Sequence, residues 1–319
     1  MKVLAAILFF LLSMAATAQH KKLVVALDGS GDYTTVQAAI DAIPAFPVDG
    51  VEVFVKNGTY REKVIIPSWK TNVSLIGESK ENTIIVWDDY SGKGDINTFT
   101  SYTVLVQGND FRAENITFEN NAGRVGQAVA LHVEADRAVF NNCRIIGDQD
   151  TLYAGVDNSR QYYYNCYIEG TTDFIFGPAT AVFENTVIHC KKNSYITAAS
   201  TPQGQPFGFV FLNCTVTASE EAEKVYLGRP WRPYAQTVFI KTTLGEHIRP
   251  EGWHNWNKPD AEKTAFYAEH KSKGPGATVK TRVTWSKQLS KREAKKFTPE
   301  NILAGDDNWK PKATLVAGK

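Results

Sequence analysis

Asn142-Cys143-Arg144-Ile145 recurs 23 residues later as Asn165-Cys166-Tyr167-Ile168, and an aspartate follows each cysteine by seven positions, Asp150 and Asp173. Related units, an asparagine followed by alternating inward and outward residues, appear at Asn72, Asn82, Asn115, Asn185 and Asn213. From Asn115 onward the intervals are 27, 23, 20 and 28 residues. One strand signature per period of twenty-odd residues is the mark of a solenoid. The second and fourth residues of each unit share a face by strand alternation, which turns Cys143 and Ile145 inward. The asparagines fall at strand edges or turns, where stacked amides can bond along the coil. A leucine-rich repeat has a similar period, but its dense leucine frame is missing. An all-β, single-stranded parallel β-helix fits best, with asparagine-initiated strands of a β-sandwich as the plainer alternative.

Outside the repeat the chain changes character. Leu23 to Leu27 reads as a short strand and Asp28 to Asp32 as a turn. Thr34 or Thr35 then caps a helix over Val36 to Ile43, stopped by Pro44. Short apolar–polar alternations broken by Gly, Asn and Asp fill the stretch from Val51 to about Lys241. From Glu251 the tail is rich in Trp and charge, with a helix expected from Ser290 to Lys296, and reads as loop and helix cover for the coil.

Residues 1–18 have the form of an export signal. Lys2 is followed by an apolar run, Val3 to Leu12, and by the small-x-small site Ala16-Thr17-Ala18. The run is shorter than the roughly 20 residues of a membrane span. The expected organisation is a signal peptide over 1–18 and one domain over 19–319, exported to the periplasm or the medium and monomeric by default. Lys2 is the one charged residue in the leader, so the rest carries equal numbers of basic and acidic side chains. Such a balance gives no bulk attraction for nucleic acid. The four cysteines do not make a disulfide scaffold. Cys143 and Cys166, on adjoining rungs, could come within reach of a bridge, but buried free thiols are the preferred reading.

If the repeat is a coil, Asp150 and Asp173 lie on neighbouring rungs about 4.8 Å apart. Two carboxylates about 5 Å apart, at an effective dielectric near 20, repel by roughly 3 kcal/mol, or about two pK units. One then keeps its proton while the other ionises, which is the division that acid and nucleophile roles require. The plainer reading is two turn aspartates bonded to backbone amides. Arg229-Pro230-Trp231, after Leu227-Gly228, presents a guanidinium able to fork onto a carboxylate and an indole able to lie against a sugar. Other chemistries have little support. There is no Gly-x-Ser-x-Gly elbow, the six histidines are scattered without zinc-ligand spacing, and His132 reads as a core or edge residue.

Together these segments make the chain strongly resemble the pectin methylesterases. The matching stretches are Gly58 to Glu62, Gln127 to Leu131, Gly147 to Tyr153, Asp173 to Gly177, Leu227 to Trp231 and Pro250 to Trp253. The resemblance implies a right-handed parallel β-helix with its site in an open lateral groove, acting on methyl-esterified homogalacturonan without metal or cofactor. It implies Asp173 as nucleophile, Asp150 as acid and then base, Gln149 as oxyanion donor, and Gln127 assisting and binding substrate. Arg229 would hold Asp173 ionised, and Thr98, Tyr153, Phe176, Arg229 and Trp231 would touch substrate. Tyr102 and Thr186 depart from the family pattern, the first in a place that bears on a subsite. Three rivals stay open: a β-helix glycosidase or lyase on the same polymer, since a carboxylate pair also suits retaining glycosidases; a non-catalytic pectin-binding solenoid; and an esterase for another acyl ester.

Overall fold

The computed structural model describes residues 21–312; the signal-peptide expectation for 1–18 lies outside them. The backbone winds as a right-handed parallel β-helix, each full turn adding one strand to each of three sheets of eleven, eight and seven strands. All registered pairings between these strands are parallel. One turn shows the pattern: Ala138–Asn141 in the eleven-stranded sheet, Arg144–Ile146 in the eight-stranded, and Leu152–Ala154 in the seven-stranded. Arg160–Tyr164, Tyr167–Gly170 and Ile175–Gly177 stack on these as the next turn.

The repeated asparagines are corner residues. Asn115, Asn142, Asn165, Asn185 and Asn213 leave the eleven-stranded sheet with φ between 52° and 55°. A short polar side chain tolerates this left-handed conformation better than most. Of the expected amide ladder one link is present: Asn142 Nδ2 donates to Asn115 Oδ1 at 2.7 Å. Asn72 (φ 56°) marks a different corner, entering the eleven-stranded sheet ahead of Val73–Gly77, and Asn82 is not left-handed. The sequence unit therefore merges turns that only the winding distinguishes.

The inward positions are as the alternation requires. Cys143, Ile145, Ile168 and Ile188 are fully buried, and all four cysteines are free thiols rather than bridged. Down the interior runs an aromatic column, Phe140, Tyr163, Phe183, Phe211 and Phe239, in strand register with ring centroids 4.3–4.8 Å apart. Equivalent positions on successive rungs must stack at the strand spacing, so one aromatic favours another above it.

The ends are closed differently. The N-terminal helix spans Val36–Asp41, stopping short of the expected Ile43, with Thr35 as its cap; it buries Val36, Ala39 and Ile40 against the first rungs. The Glu62 carboxylate accepts the Val36 and Gln37 N–H groups at 2.8 and 2.9 Å, satisfying donors that a helix start leaves free. The helix expected over Ser290 to Lys296 is Lys291–Ala294, with Ser290 as its N-cap, in a reciprocal box with Glu293, and Lys295 as its C-cap; a second short helix, Pro299–Ile302, follows. Leu289, Phe297, Ile302 and Leu303 pack on Val139, Tyr162, Val182 and Val210. The tail thus covers the outer face of the eleven-stranded sheet. It is fastened by Arg282, whose Nε donates to Glu269 Oε1 at 2.7 Å in a fully buried pair. Among the described residues no such cover lies over the outer face of the seven-stranded sheet, and the site lies there.

Candidate active site

Leu152 pairs with Ile175 in the seven-stranded sheet, so Asp150 and Asp173, each two residues earlier, occupy the same place on adjoining rungs. Both are left-handed, φ 64° and 50°, another corner where a short polar side chain fits. Their amide N–H groups are spent on the coil: Asp150 donates to the Thr172 carbonyl at 3.0 Å and Asp173 to that of Tyr195 at 2.8 Å. The carboxylates are nearly buried, the residues being 5% and 6% exposed. They are not turn aspartates occupied by local backbone amides.

Tyr195 extends the same column one rung further, and Gly228 pairs with Thr197, which brings Arg229 in beside Ala198. Arg229 and Trp231 donate their backbone N–H to Thr197 and Ala199, both at 2.9 Å, so the alternate bonding of the strand Tyr226–Gly228 carries on past its end. Pro230, lacking an N–H, takes the position that needs none. Alternation then turns Arg229 and Trp231 outward together. Arg229 forks onto Asp173, Nε to Oδ1 at 3.0 Å and Nη2 to Oδ2 at 2.6 Å. Its guanidinium is held between the rings of Tyr195 and Trp256, 3.9 and 3.6 Å from the centroids.

The two acids consequently differ. Burial pushes the Asp150 carboxyl up to about 8, the neighbouring Asp173 charge adds to this, and Arg229 and the Gln127 amide oppose it. Burial also raises Asp173, against the direct hydrogen bonds and charge of Arg229. Desolvation raises both acids; what sets them apart is the Asp173 charge acting on Asp150 and the Arg229 hydrogen bonds that only Asp173 receives.

A cavity of about 270 Å³ opens above the pair, lined by Thr98, Phe99, Gln127, Gln149, Asp150, Asp173, Phe176, Ala198, Arg229, Trp231 and Trp256. Gln127 and Gln149 come together through a parallel bridge between their backbones. Thr98 and Phe99 are carried in by a 3-10 turn, Thr98–Thr100, capped by Asn97. Tyr153 is set to one side: it lines the adjoining hollow that shares Trp231 and packs on Phe176 at 4.9 Å. His132 is the next outward residue up the sheet, edge-on to Tyr153 at 4.6 Å, with Nε2 3.0 Å from Glu134. Among the described residues no cluster of three or more His, Cys, Asp or Glu is arranged to hold a metal.

Phe99, Tyr195 and Trp256 are the participants that sequence reasoning misses. The signal for Trp256 was the excess of tryptophan in the tail, read only as cover. Tyr195 stands 22 residues after Asp173, one repeat on, and extrapolating the period finds it.

The arrangement offers a desolvated acid, a cation-paired carboxylate and amide donors around one reacting centre. The Pectinesterase family model matches residues 22–306. The chain is 42% identical to Pectinesterase 31 of Arabidopsis thaliana over 88% of its own length and 91% of that protein's. Among solved structures, pectin methylesterase from carrot superposes with a TM-score of 0.87 at 38% identity, covering 94% of this chain and 98% of that one. A pectin methylesterase in complex with a hexasaccharide gives 0.78 at 30% identity, covering 92% and 99%.

Proposed function

The chain belongs to the pectinesterase family, and on that footing we propose how its two aspartates divide the work. The protein is a carboxylic ester hydrolase, a pectin methylesterase acting on homogalacturonan. Asp173 is the nucleophile and Asp150 the proton donor. The observation that carries this assignment is the unequal hold on the two acids. Arg229 grips Asp173 in a fork that requires the carboxylate, whereas Asp150 forms no ion pair among the described residues and keeps its proton up to a pH of about 8.

An Asp173 oxygen attacks the C6 ester carbonyl. Negative charge moves to the carbonyl oxygen, where the amide N–H groups of Gln149 and Gln127 receive it. Collapse breaks the C–O bond to the methoxy group, which takes the Asp150 proton and departs as methanol, leaving an anhydride between substrate and Asp173. Asp150, now ionised, takes a proton from water as the water oxygen attacks the same carbon. Asp173 leaves as a carboxylate already paired with Arg229, and Asp150 is protonated again. The released uronic acid ionises, giving one proton to solvent per turnover. Phe176, Trp231 and the neighbouring Tyr153 supply flat apolar surface for the sugar rings, and Thr98 a hydroxyl.

A polymeric uronide does not cross a cytoplasmic membrane, so the enzyme works in the periplasm or outside the cell. Among the described residues no helix is long and apolar enough to span a membrane. The deciding experiment supplies a defined methylated oligogalacturonide and measures methanol together with chain ends. Methanol without new reducing or unsaturated ends supports the esterase, and new ends favour a glycosidase or lyase. Binding with no product favours an inactive solenoid.

A further inference from the structure

The corner that turns the chain out of the eleven-stranded sheet changes residue type near the C-terminal end of the coil. Asn115, Asn142, Asn165, Asn185 and Asn213 hold it on five successive rungs, and Lys241 and Lys271 hold it on the next two, still left-handed at φ 51°. Ile240 pairs with His270, so the two lysines stack at one strand spacing. Lysine fits this conformation less well than asparagine, and two like charges one rung apart repel. Neither backbone preference nor neighbour repulsion explains their presence.

Both line a groove of about 500 Å³ between the coil and the tail, on a different side from the catalytic groove. Lys291 and Lys295, one helical turn apart on the tail side, line it too, as does Lys312. All five are exposed. The floor is apolar, formed by Leu212, Ile240 and Phe297. Two carboxylates reach the groove, and Lys312 engages both, Glu184 at 3.2 Å and Glu300 at 3.7 Å; Glu184 also accepts the Tyr162 hydroxyl. Among the described residues Lys241, Lys271, Lys291 and Lys295 have no acidic partner within salt-bridge distance. The groove therefore presents four unneutralised ammonium groups above an apolar strip.

We propose that this groove is a second, non-catalytic docking surface for the acidic polymer, demethylated polygalacturonate. The occupant follows from the functional reading above. A uronide carries one carboxylate per residue to meet the lysines, and this is the charge pattern that de-esterification creates. Methylated stretches lack that charge, so the surface holds product-rich chain while the catalytic groove works on esterified chain. The attraction is electrostatic and exposed, hence weak per contact and sensitive to salt.

The test uses the full chain with Lys241→Asn and Lys271→Asn together. Asparagine is the residue that the preceding rungs carry at this corner, so the coil keeps its geometry. Affinity electrophoresis through polygalacturonate should show retention weakened by roughly three- to tenfold at low ionic strength, the scale of two exposed ion pairs, with the difference vanishing as salt is added. Lys241→Arg with Lys271→Arg should restore it. Methanol release from a short methylated oligogalacturonide should be the same in all variants. Retention of the asparagine variant equal to that of the wild type would overturn the proposal. So would retention that rises when residues 313–319 are removed, since that segment would then be the occupant. Absence of methanol from the wild-type protein would instead sink the esterase reading, and the retention experiment reads independently of it.

Discussion

Arg229 donates two hydrogen bonds to Asp173, at 3.0 and 2.6 Å, across two rungs of the coil. Asp150, on the rung adjoining Asp173, receives none from it and feels the guanidinium only through space. One cation thus gives two equivalent backbone positions opposite protonation preferences, and the chemistry follows from that asymmetry.

The asymmetry sets the pH dependence. Asp150 must be protonated for acylation and holds its proton until about pH 8, so kcat/KM should fall about tenfold per unit above that value. Arg229 lowers both carboxyls. Arg229→Ala should therefore move both limbs of the pH–rate profile upward and reduce kcat by about 10²-fold or more. A profile lower in height but unmoved along the pH axis would contradict the pairing argument.

Removing the nucleophile should leave the coil standing. Asp173→Ala should lower turnover by about 10³-fold or more, with an unchanged far-ultraviolet circular dichroism spectrum. A rate within tenfold of wild type would exclude Asp173 from the covalent step.

The buried acid also has a stability signature. Its folded pKa lies above the unfolded value, so stability is fully present below about pH 4 and is lost as pH rises toward about 8, where the native carboxyl ionises too. Asp150→Asn should therefore raise the melting temperature at neutral pH, by a few kcal/mol in free energy and ~5 at most. The gain should grow from pH 4 to 8 and then level off, while activity is lost. Thermal melts of both proteins across that range decide it; a gain independent of pH would place the effect elsewhere.

The aromatic column should matter to the coil and not to the chemistry. Phe183 stacks on Tyr163 at 4.8 Å and on Phe211 at 4.6 Å, fully buried. Phe183→Ala should cost about 3–5 kcal/mol in chemical denaturation, with methanol release unaltered well below the transition. A large loss of rate in the folded protein would mean that core and groove are coupled.

Trp256 tests a participant found only in the fold. Its ring lies 3.6 Å from the Arg229 guanidinium, on the side opposite Tyr195. Trp256→Ala should loosen Arg229 and lower kcat/KM by about tenfold, a contact of this kind contributing about 1–2 kcal/mol when partly desolvated. The pH profile should shift in the same direction as for Arg229→Ala, by less. A change in KM alone would make Trp256 a substrate contact and nothing more.

Much of this was legible in the chain. The spacing of Asn142 and Asn165 carried the parallel coil, alternation placed Cys143 and Ile145 inside, and seven-residue offsets put Asp150 and Asp173 on adjoining rungs. Each is a local periodicity, which repeated backbone geometry must copy into space. The same units were misleading at Asn72 and Asn82, because an asparagine marks a sharp turn without saying which one.

The remainder depended on pieces of chain that no period relates. Trp256 reaches Arg229 from a tail loop, Phe99 comes in on a separate 3-10 turn, and the proton affinity of Asp150 reflects how completely these walls remove water. Repetition along a sequence determines which residues stack, since equal windings bring equal positions together. How dry a carboxyl becomes is a sum over everything packed around it, and only the closed tertiary structure performs that sum.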